Sequence, residues 1–514
     1  MTRPGIGRTL AAALLLWLVL ILPSAAAWPA LLPPELPLIL LLLVAAGPNR
    51  PLRALLTLLL VLITTLKIAD LAMAEILGRG FNPVGDLALI DASARMIAGA
   101  FGPLAAIGAA LICLVMFGGL ATGIWWAAGV WKRLRAPRLP AALAAVAAAL
   151  LLLPFGETAG YARDKAVVAS RTLTDLRDFR QLALADPMAG QTGLLAGLDR
   201  DVLVIFIESY GRTSFDTPYF AETHLPVLRE AETALDKAGL AMRSGFLTSP
   251  TQGGQSWLSH ASFASGLWID DQSRFRALLA SGRRTLFHLA QGAGFRTAAI
   301  MPAITRPWPE SARMGFDRVL GAADLGYRGK PFNWVTMPDQ FTLAATDRLL
   351  RQGDDPPLFA QIALISSHAP WVPLPQMVPW EAVEDGTIFT PMAEAGPTPK
   401  EVWDDYDDVR AQYRASITYA LRAVTGYARL NADDPPLMIV VGDHQAAARI
   451  ALDERREVPI HLIGPRDLVE RSRDWGFAPG LIPPTGPTAL PMEGMRDLIL
   501  RGFAPGTTTT ALRD

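Results

Sequence analysis

Four side chains beyond residue 200 have the chemistry that a metal-dependent phosphotransfer site requires. Glu208, Ser256 and the adjacent pair Asp443-His444 supply two carboxylates, a hydroxyl and an imidazole. Such hard and borderline ligands suit Zn²⁺ or Mn²⁺. A serine hydroxyl is a poor nucleophile near neutral pH, but direct coordination to a metal ion can activate it without a partner histidine. The four residues therefore predict a metal site in which Ser256 is the nucleophile.

Short apolar runs predict that the candidate residues share one edge of a sheet. The runs are separated by helical patterns and read VLVIFI (202–207), FRTAAIM (295–301), LFAQIALI (358–365), LMIVV (437–441) and VPIHLIG (458–464). Runs that are apolar on both faces are typical of buried parallel strands in an α/β fold. A polar or aromatic candidate follows four of the runs: Glu208, Arg306 and Trp308, His368, and Asp443-His444. Because ligands collect at the carboxyl ends of such strands, we expect these side chains to converge.

The segment around Ser256 predicts a turn that binds phosphate. It reads TQGGQSWLSHASFASG over residues 251–266, with two glycines before the serine and a helical pattern after it. The glycines permit close approach of the backbone, and the free N–H groups at the start of a helix attract a phosphate. Serine is also a common helix N-cap, which is the structural alternative to a nucleophile.

The same segment resembles the motif of sulfatases in the alkaline-phosphatase superfamily. That motif is Cys-x-Pro-Ser-Arg, then four residues, then Thr-Gly. It is matched at Ser256 in the nucleophile position, Ser259, Ser265 in place of Thr, and Gly266. Leu258 and His260 stand where the motif has Pro and Arg. These departures argue against the formylglycine chemistry of true sulfatases, because that modification needs the missing neighbours.

The departures favour a branch of the superfamily that keeps a plain hydroxyl nucleophile. This branch comprises the lipoteichoic-acid synthases and the phosphoglycerol and phosphoethanolamine transferases of bacterial envelopes. The resemblance implies four metal ligands, Glu208, Ser256, Asp443 and His444. It further implies four substrate contacts, His368, Arg306, Trp308 and His260. One divalent ion is expected, with Mn²⁺ as the first choice and Zn²⁺ or Mg²⁺ as alternatives.

Differences between this chain and the phosphoethanolamine transferases predict the head group. Phosphoethanolamine transferases resemble this chain too, but their exported domains are usually rich in disulfides and carry an extra histidine after the Asp-His pair. The only cysteine here is Cys113, and Arg455, Arg456 and Glu457 occupy the corresponding place. We therefore expect transfer of phosphoglycerol from phosphatidylglycerol to an envelope glycan or lipid through a Ser256 phosphoester.

Three alternatives stay open at the level of sequence. The first is phosphoethanolamine transfer from phosphatidylethanolamine, and the second is a sulfatase-like phosphodiesterase or hydrolase that uses water as the acceptor. The third is a non-enzymatic envelope scaffold. A nucleic-acid partner is not expected, since the formal net charge is −1 and no basic face appears outside the cytoplasmic loops.

The first third of the chain is apolar enough to lie within a membrane. Five apolar runs lie at about residues 9–27, 30–46, 54–74, 98–128 and 140–155. Most approach the ~20 residues that cross ~30 Å of hydrocarbon. We therefore predict a transmembrane helical bundle of about five spans over 1–155, a helical linker over 156–198, and an exported catalytic domain over 199–514. That domain is expected to have a mostly parallel central sheet and a Pro-rich tail, with a helix over 492–501 and a disordered Thr507–Thr510 run.

Cationic residues set the predicted orientation. They cluster before the first run and in the segments that follow the second and fourth runs: Arg3, Arg8, Arg50, Arg53, Lys132, Arg133, Arg135 and Arg138. By the positive-inside rule these segments are cytoplasmic. An odd number of spans then places the catalytic domain outside the cytoplasm. The expected location is the bacterial inner membrane, with a periplasmic catalytic domain.

Overall fold

The computed structural model describes residues 5–22, 33–134, 137–152, 156–353, 355–484, 486 and 489–505. The chain divides into two compact units. The helical unit comprises Met1–Glu75 and Arg79–Asp175. The second unit, named the catalytic unit after the prediction above, comprises Ile76–Gly78 and Leu176–Asp514. The predicted domain limits at residues 155 and 198 stay a prediction.

The helical unit is built from helices, most of them apolar. These are α1 (Ile6–Ile21), α2 (Glu35–Ala46), α3 (Arg50–Leu77), α4 (Leu89–Phe101), α5 (Pro103–Trp131), α6 (Arg138–Leu152) and the first part of α7 (Glu157–Leu184). Within the described part of the chain, α3 and α5 are long and apolar enough to cross a membrane, with 28 and 29 residues. Three shorter apolar helices lie in the other predicted runs. The count of five spans therefore stays a prediction, and parts of the first, second and fifth runs fall outside the described residues.

A mixed sheet forms the centre of the catalytic unit. Its strands are β1 (Val202–Ile207), β2 (Ala241–Thr248), β3 (Arg296–Met301), β4 (Arg318–Gly321), β5 (Leu358–Leu364), β6 (Leu437–Gly442), β7 (Glu457–Gly464), β8 (Ala478–Pro479) and β9 (Leu490–Pro491). They lie in the order β4-β3-β5-β1-β6-β7-β2-β8, and β9 pairs with β2. Strands β4, β3, β5, β1 and β6 are mutually parallel. The prediction of a mostly parallel sheet is confirmed.

The fifth apolar run departs from that prediction. It forms β7, which runs antiparallel to both β6 and β2. Burial on both faces identifies a central strand but carries no information on its direction, because direction depends on the connections. Strand β2 was also missed, since its sequence AMRSGFLT interrupts the apolar pattern with Arg243 and Ser244.

Helices cover both faces of the sheet. They are α8 (Thr213–Asp216), α9 (Pro218–Lys237), α10 (Ser256–Ser265), α11 (Gln272–Ala280), α12 (Leu286–Gly292), α13 (Asp339–Leu350), α14 (Thr390–Ala395), α15 (Pro399–Val402), α16 (Tyr406–Leu430), α17 (Ala448–Ala451), α18 (Arg466–Val469) and α19 (Gly494–Gly502). Alternate residues of β1 enter two separate apolar cores. One core contains side chains of α9, α13 and α16, and the other contains side chains of α10, α12 and α19. The predicted C-terminal helix is confirmed as α19, whereas Thr507–Thr510 lies outside the described residues.

Strand register determines where the site forms. In the parallel pairs, Ile207 of β1 lies opposite both Leu364 of β5 and Gly442 of β6. The residues that follow these strand ends are Glu208, Ile365 and Asp443, so they leave the sheet at the same level. The sheet thus brings residues more than a hundred positions apart to one edge.

At Gly442, the end of β6 passes very close to the backbone of Tyr210. A side chain added there would overlap the carbonyl oxygen of Tyr210, which is backbone and cannot rotate away. We expect Gly442→Ala to lower the free energy of unfolding of the catalytic unit by about 1–3 kcal/mol, because overpacking forces the backbone to shift. Thermal unfolding monitored by circular dichroism measures the change. Gly494→Ala is the matched control, since a side chain at Gly494 meets open space. Equal stability of the two variants would contradict the assigned close approach.

Candidate metal and phosphate site

Two carboxylates and one imidazole form a buried cluster at the carboxyl edge of the sheet. Glu208, Asp443 and His444 each offer a ligand atom, and these atoms lie within 4.8 Å of one another. His444 Nε2 is 3.1 Å from Glu208 Oε1 and 3.9 Å from Asp443 Oδ1. All three residues are buried. The structure therefore brings together three of the four predicted metal ligands.

The imidazole is oriented with Nε2 toward the carboxylates. His444 Nδ1 donates a hydrogen bond of 3.0 Å to the backbone carbonyl oxygen of Gln445. Nε2 is buried and, despite its closeness to Glu208, has no hydrogen-bond partner of suitable geometry among the described residues. A histidine that ligates a metal commonly donates its other ring N–H to a carbonyl in this way. The orphaned nitrogen and the two carboxylates fit a divalent cation.

Electrostatics favour a cation at the same point. Burial opposes ionisation of Glu208, but His444 and His368 outweigh it and hold the pKa of this carboxyl well below its usual range. Burial and the Glu208 charge raise the pKa of Asp443 to about 8. Burial lowers the pKa of His444, but Asp443 and Glu208 overcome that effect and raise it to about 9. The two carboxylates therefore favour positive charge at the imidazole of His444, whether from a proton or from a metal ion.

Ser256 completes the predicted ligand set. It is the first residue of α10, and its Oγ donates a hydrogen bond of 3.0 Å to Glu208 Oε2. The preceding residues have positive φ values, 66° at Gln255 and 71° at Gly253. This turn, which the two glycines predicted, delivers the hydroxyl to the cluster. The N–H group of Leu258 already donates to the carbonyl oxygen of Gln255 at 2.9 Å, so the N–H groups of Ser256 and Trp257 are the ones at this helix start that can bind a phosphate.

Two neighbouring serines hold the cluster in place, and neither was predicted. Ser209 donates from its backbone N–H to Asp443 Oδ1 at 2.8 Å and from its hydroxyl to Glu208 Oε1 at 3.2 Å. Ser367 Oγ donates to the backbone carbonyl oxygen of Glu208 at 2.6 Å. Both serines directly adjoin predicted site residues in sequence, which is the signal that could have found them.

His368 lies beside the cluster, close enough for its charge to lower the pKa of Glu208. Its Nδ1 donates to the carbonyl oxygen of Ala369 at 2.5 Å. Its ring stacks on Trp334, with 4.0 Å between ring centroids. Trp334 has no sequence signal, because it comes from a loop before α13 rather than from a strand end. The stacked ring leaves Nε2 of His368 available for a substrate.

His260 also lies near the cluster, one turn along α10 from Ser256. It is buried, its ring centroid is 4.0 Å from that of Phe206, and neither ring nitrogen has a hydrogen-bond partner among the described residues. Burial lowers the pKa of His260 to about 3, so the ring is neutral at physiological pH. A neutral ring can offer a phosphate one hydrogen bond but no charge.

Arg306 and Trp308 have no hydrogen bond or ion pair to the cluster residues within the described part of the chain. Trp308 packs on Phe316, with 6.2 Å between ring centroids, and Arg306 is exposed. Within the described ranges, neither makes a polar contact with Glu208, Ser256 or the Asp-His pair. Their role in substrate binding stays a prediction.

Asp339 organises the backbone that precedes His368, a role that no sequence pattern predicted. Its Oδ1 accepts hydrogen bonds of 2.8 Å from the N–H groups of Ile365 and Ser366. Its own N–H donates to Ser366 Oγ at 2.9 Å. Oδ2 is buried and has no partner in the described part of the chain. Burial raises the pKa of Asp339 from 3.8 to about 6.

Comparison with known proteins gives one family match and several structural likenesses. The sulfatase family model matches residues 200–458. No curated protein matches the chain. A solved structure of Listeria monocytogenes lipoteichoic acid synthase LtaP is similar, with 11% identity and a TM-score of 0.37, over 56% of this chain and 71% of that chain.

Two further solved structures are similar to larger shares of the chain. Streptococcus pyogenes phosphoglycerol transferase GacH has 12% identity and a TM-score of 0.38, over 65% of this chain and 91% of that chain. The Neisseria meningitidis integral membrane protein lipooligosaccharide phosphoethanolamine transferase A (EptA) has 14% identity and a TM-score of 0.49. Its match extends over 98% of this chain and 96% of that chain.

We expect His444→Ala to weaken divalent-metal binding by at least about 100-fold, since even groups outside the ligand set commonly change affinity by ~10–100-fold. Isothermal titration of the full chain with MnCl₂ and ZnCl₂ measures the affinity. His288→Ala is the matched control, because His288 is a helix-capping residue of α12. Unchanged affinity in His444→Ala would remove the Asp-His pair from the metal site.

The raised pKa of Asp339 predicts a pH effect on stability. A carboxyl whose pKa is higher in the folded than in the unfolded chain contributes stability while it is protonated. That contribution is lost as pH rises through about 6, where the carboxyl of the folded chain ionises. Between pH ~4 and pH ~7, we expect the free energy of unfolding of wild type to fall by about 2 kcal/mol relative to that of Asp339→Asn. Denaturant unfolding at a series of pH values measures the difference. The exposed substitution Asp236→Asn should leave the profile unchanged, and parallel wild-type and Asp339→Asn profiles would refute the assignment.

Proposed function

The chain belongs to the sulfatase family, and from this premise we propose that it transfers phosphoglycerol from phosphatidylglycerol to an envelope glycan or lipid. One observation carries the proposal: the hydroxyl of Ser256 lies 3.0 Å from Glu208 within a buried cluster that attracts a cation. A hydroxyl so placed can act as a nucleophile in place of formylglycine.

In the first half-reaction, Ser256 Oγ attacks the phosphorus of the donor lipid. The bond between phosphorus and the diacylglycerol oxygen breaks, and the serine proton ends on that oxygen. In the second half-reaction, an acceptor hydroxyl attacks the phosphorus of the phosphoserine and the bond between phosphorus and Ser256 Oγ breaks. Ser256 Oγ recovers a proton as the acceptor hydroxyl loses one. A divalent ion held by Glu208, Asp443, His444 and Ser256 would supply positive charge that stabilises the reacting oxygen atoms.

Residues around the cluster orient the phosphate. The N–H groups of the first two residues of α10 can bind its non-bridging oxygens, and His368, held against Trp334, can donate a hydrogen bond from the opposite side. His260 is buried one turn away and can add a single neutral hydrogen bond. We propose Mn²⁺ as the ion, with Zn²⁺ or Mg²⁺ as alternatives.

The choice of phosphoglycerol is supported by the segment after the Asp-His pair. Where phosphoethanolamine transferases carry a further histidine, this chain has residues engaged in ion pairs. Arg455 binds Asp216 at 2.7 Å and Asp453 at 2.5 Å, and Glu457 pairs with Arg212. The carboxylates of Asp216, Asp453 and Glu457 are neutralised by these ion pairs, so they are not available to bind an ethanolamine ammonium group.

The helical unit supports a membrane location for this activity. Helices α3 and α5 have the length and apolarity to span a bilayer. A lipid donor that cannot leave the membrane requires an enzyme tethered beside it. We propose a multi-pass protein of the bacterial inner membrane whose catalytic unit faces the periplasm.

A covalent adduct on Ser256 is the direct test. The purified full chain is incubated with phosphatidylglycerol, phosphatidylethanolamine and Mn²⁺ without acceptor, and the peptide that contains Ser256 is weighed by mass spectrometry. We expect a phosphoglycerol adduct that is lost in Ser256→Ala and kept in the control Ser273→Ala. A phosphoethanolamine adduct would reassign the head group. Absence of any adduct with metal bound would sink the covalent mechanism, and release of free glycerol phosphate would then favour a hydrolase.

A further inference from the structure

A groove in the catalytic unit lies between α9, α16 and the segment Leu374–Met377. A cavity of about 690 Å³ is lined by Thr223, Gln376, Arg414, Thr418 and Arg422, among others. A second cavity of about 200 Å³ adjoins it at Arg422 and continues along the same two helices to Arg429. Together these cavities form what we call the α16 groove. None of its lining residues belongs to the cluster at Glu208.

Three arginines of α16 form one wall of this groove. Arg414, Arg422 and Arg429 are each about two helical turns apart, so they share one side of the helix over about 22 Å. Arg414 donates to the carbonyl oxygen of Tyr219 at 3.2 Å and lies over its ring. Within the described residues, none of the three arginines pairs with a carboxylate.

These three arginines differ from the guanidinium groups of this unit that are neutralised in ion pairs. Other guanidinium groups bind carboxylates closely, as Arg351 binds Asp201 and Arg496 binds Asp186, both at 2.7 Å. The acidic residue among those lining the α16 groove is Glu230, in the smaller cavity. Three guanidinium groups facing one concave space therefore present uncompensated positive charge, which attracts an anion. Their spacing fits an extended ligand that carries several negative charges rather than a single ion.

The rest of the lining indicates a carbohydrate. Thr223, Thr418 and Gln376 offer hydroxyl and amide groups that can hydrogen-bond sugar hydroxyls. A concave groove suits a chain better than a flat bilayer surface. We infer that the α16 groove binds an anionic glycan, with carboxylate or phosphate groups held by Arg414, Arg422 and Arg429.

The groove is connected to the site at both walls. Tyr413, adjacent to Arg414, donates a hydrogen bond of 2.8 Å to the carbonyl oxygen of Ser209, which follows Glu208. The opposite wall, Leu374–Met377, continues the segment that begins at His368. Because both walls belong to elements that also hold the site, we take a glycan in the groove as the acceptor for the Ser256 phosphoester. This assignment as acceptor rests on the proposed function, whereas binding of the glycan does not.

Binding of a defined anionic oligosaccharide tests the inference. The full chain, in nanodiscs of uncharged phosphatidylcholine, is titrated against a fluorescent oligogalacturonate and against its methyl ester, which lacks the charges. We expect salt-sensitive binding of the charged form only. Arg422→Gln/Arg429→Gln should weaken it by about tenfold or more, because two charge-assisted contacts are lost. Arg422→Lys/Arg429→Lys should retain most of the affinity.

The matched control is Arg276→Gln/Arg466→Gln, which removes two exposed arginines elsewhere in the catalytic unit and should bind as wild type does. Equal binding of wild type and Arg422→Gln/Arg429→Gln overturns the inference, as does equal binding of the methyl ester. If the double glutamine variant loses affinity only for phosphatidylcholine–phosphatidylglycerol vesicles, the arginines contact lipid and the glycan assignment fails.

A further variant separates this inference from the proposed function. Ser256→Ala cannot form the adduct but should bind oligogalacturonate as tightly as wild type. If Ser256 forms no adduct with either lipid while the groove results hold, the transferase proposal fails and the binding site stands. If the adduct forms and the groove variants bind normally, the reverse is true.

Discussion

The burial of two carboxylates beside one imidazole is the constraint on which the catalytic unit depends. Glu208 and Asp443 leave the sheet at the same level because β1 and β6 are paired in parallel register. Close, buried negative charges are costly unless a cation compensates them. His444 supplies part of that compensation, and its Nε2 points to the place where a metal ion would supply more. Ser209 and Ser256 donate hydrogen bonds to these carboxylates, and Ser367 donates one to the backbone carbonyl oxygen of Glu208.

The same constraint explains the local backbone. Gly442 admits the close approach of β6 to Tyr210, and the turn before Ser256 uses positive φ values to aim the hydroxyl at Glu208. These backbone conformations are unfavourable by themselves. Burial of alternate residues of β1 in two apolar cores stabilises the fold that contains them. Rigid strands thereby hold the ligands, while the nucleophile comes from a helix start that can also bind phosphate.

Much of this could be predicted from sequence because the signals are local. Apolar runs followed directly by Glu208 and by Asp443-His444 are short patterns, and the rule that parallel strands end at one edge joins them. The direction of β7 could not be predicted, since it depends on connections between distant segments. The roles of Asp339 and Trp334 could not be predicted for the same reason. Each contacts the residues at or before His368 from a distant segment, and these contacts exist only in the folded chain.

Charge distribution also separates two kinds of site in one unit. At the sheet edge, carboxylates outnumber the imidazole and favour a cation. Along α16, guanidinium groups without carboxylate partners favour an anion. An enzyme that moves a charged head group onto an anionic glycan would need both, and α16 links them through Tyr413 and Ser209.

The most direct test of the account is the position of a bound metal ion. Crystals of the full chain soaked in MnCl₂ and measured at the manganese absorption edge would show where the ion binds. We expect an anomalous peak within about 2.0–2.2 Å of Glu208, Asp443 and His444 ligand atoms, with Ser256 Oγ adjacent. A peak at another place, or an empty cluster in crystals that hold Mn²⁺ elsewhere, would contradict it.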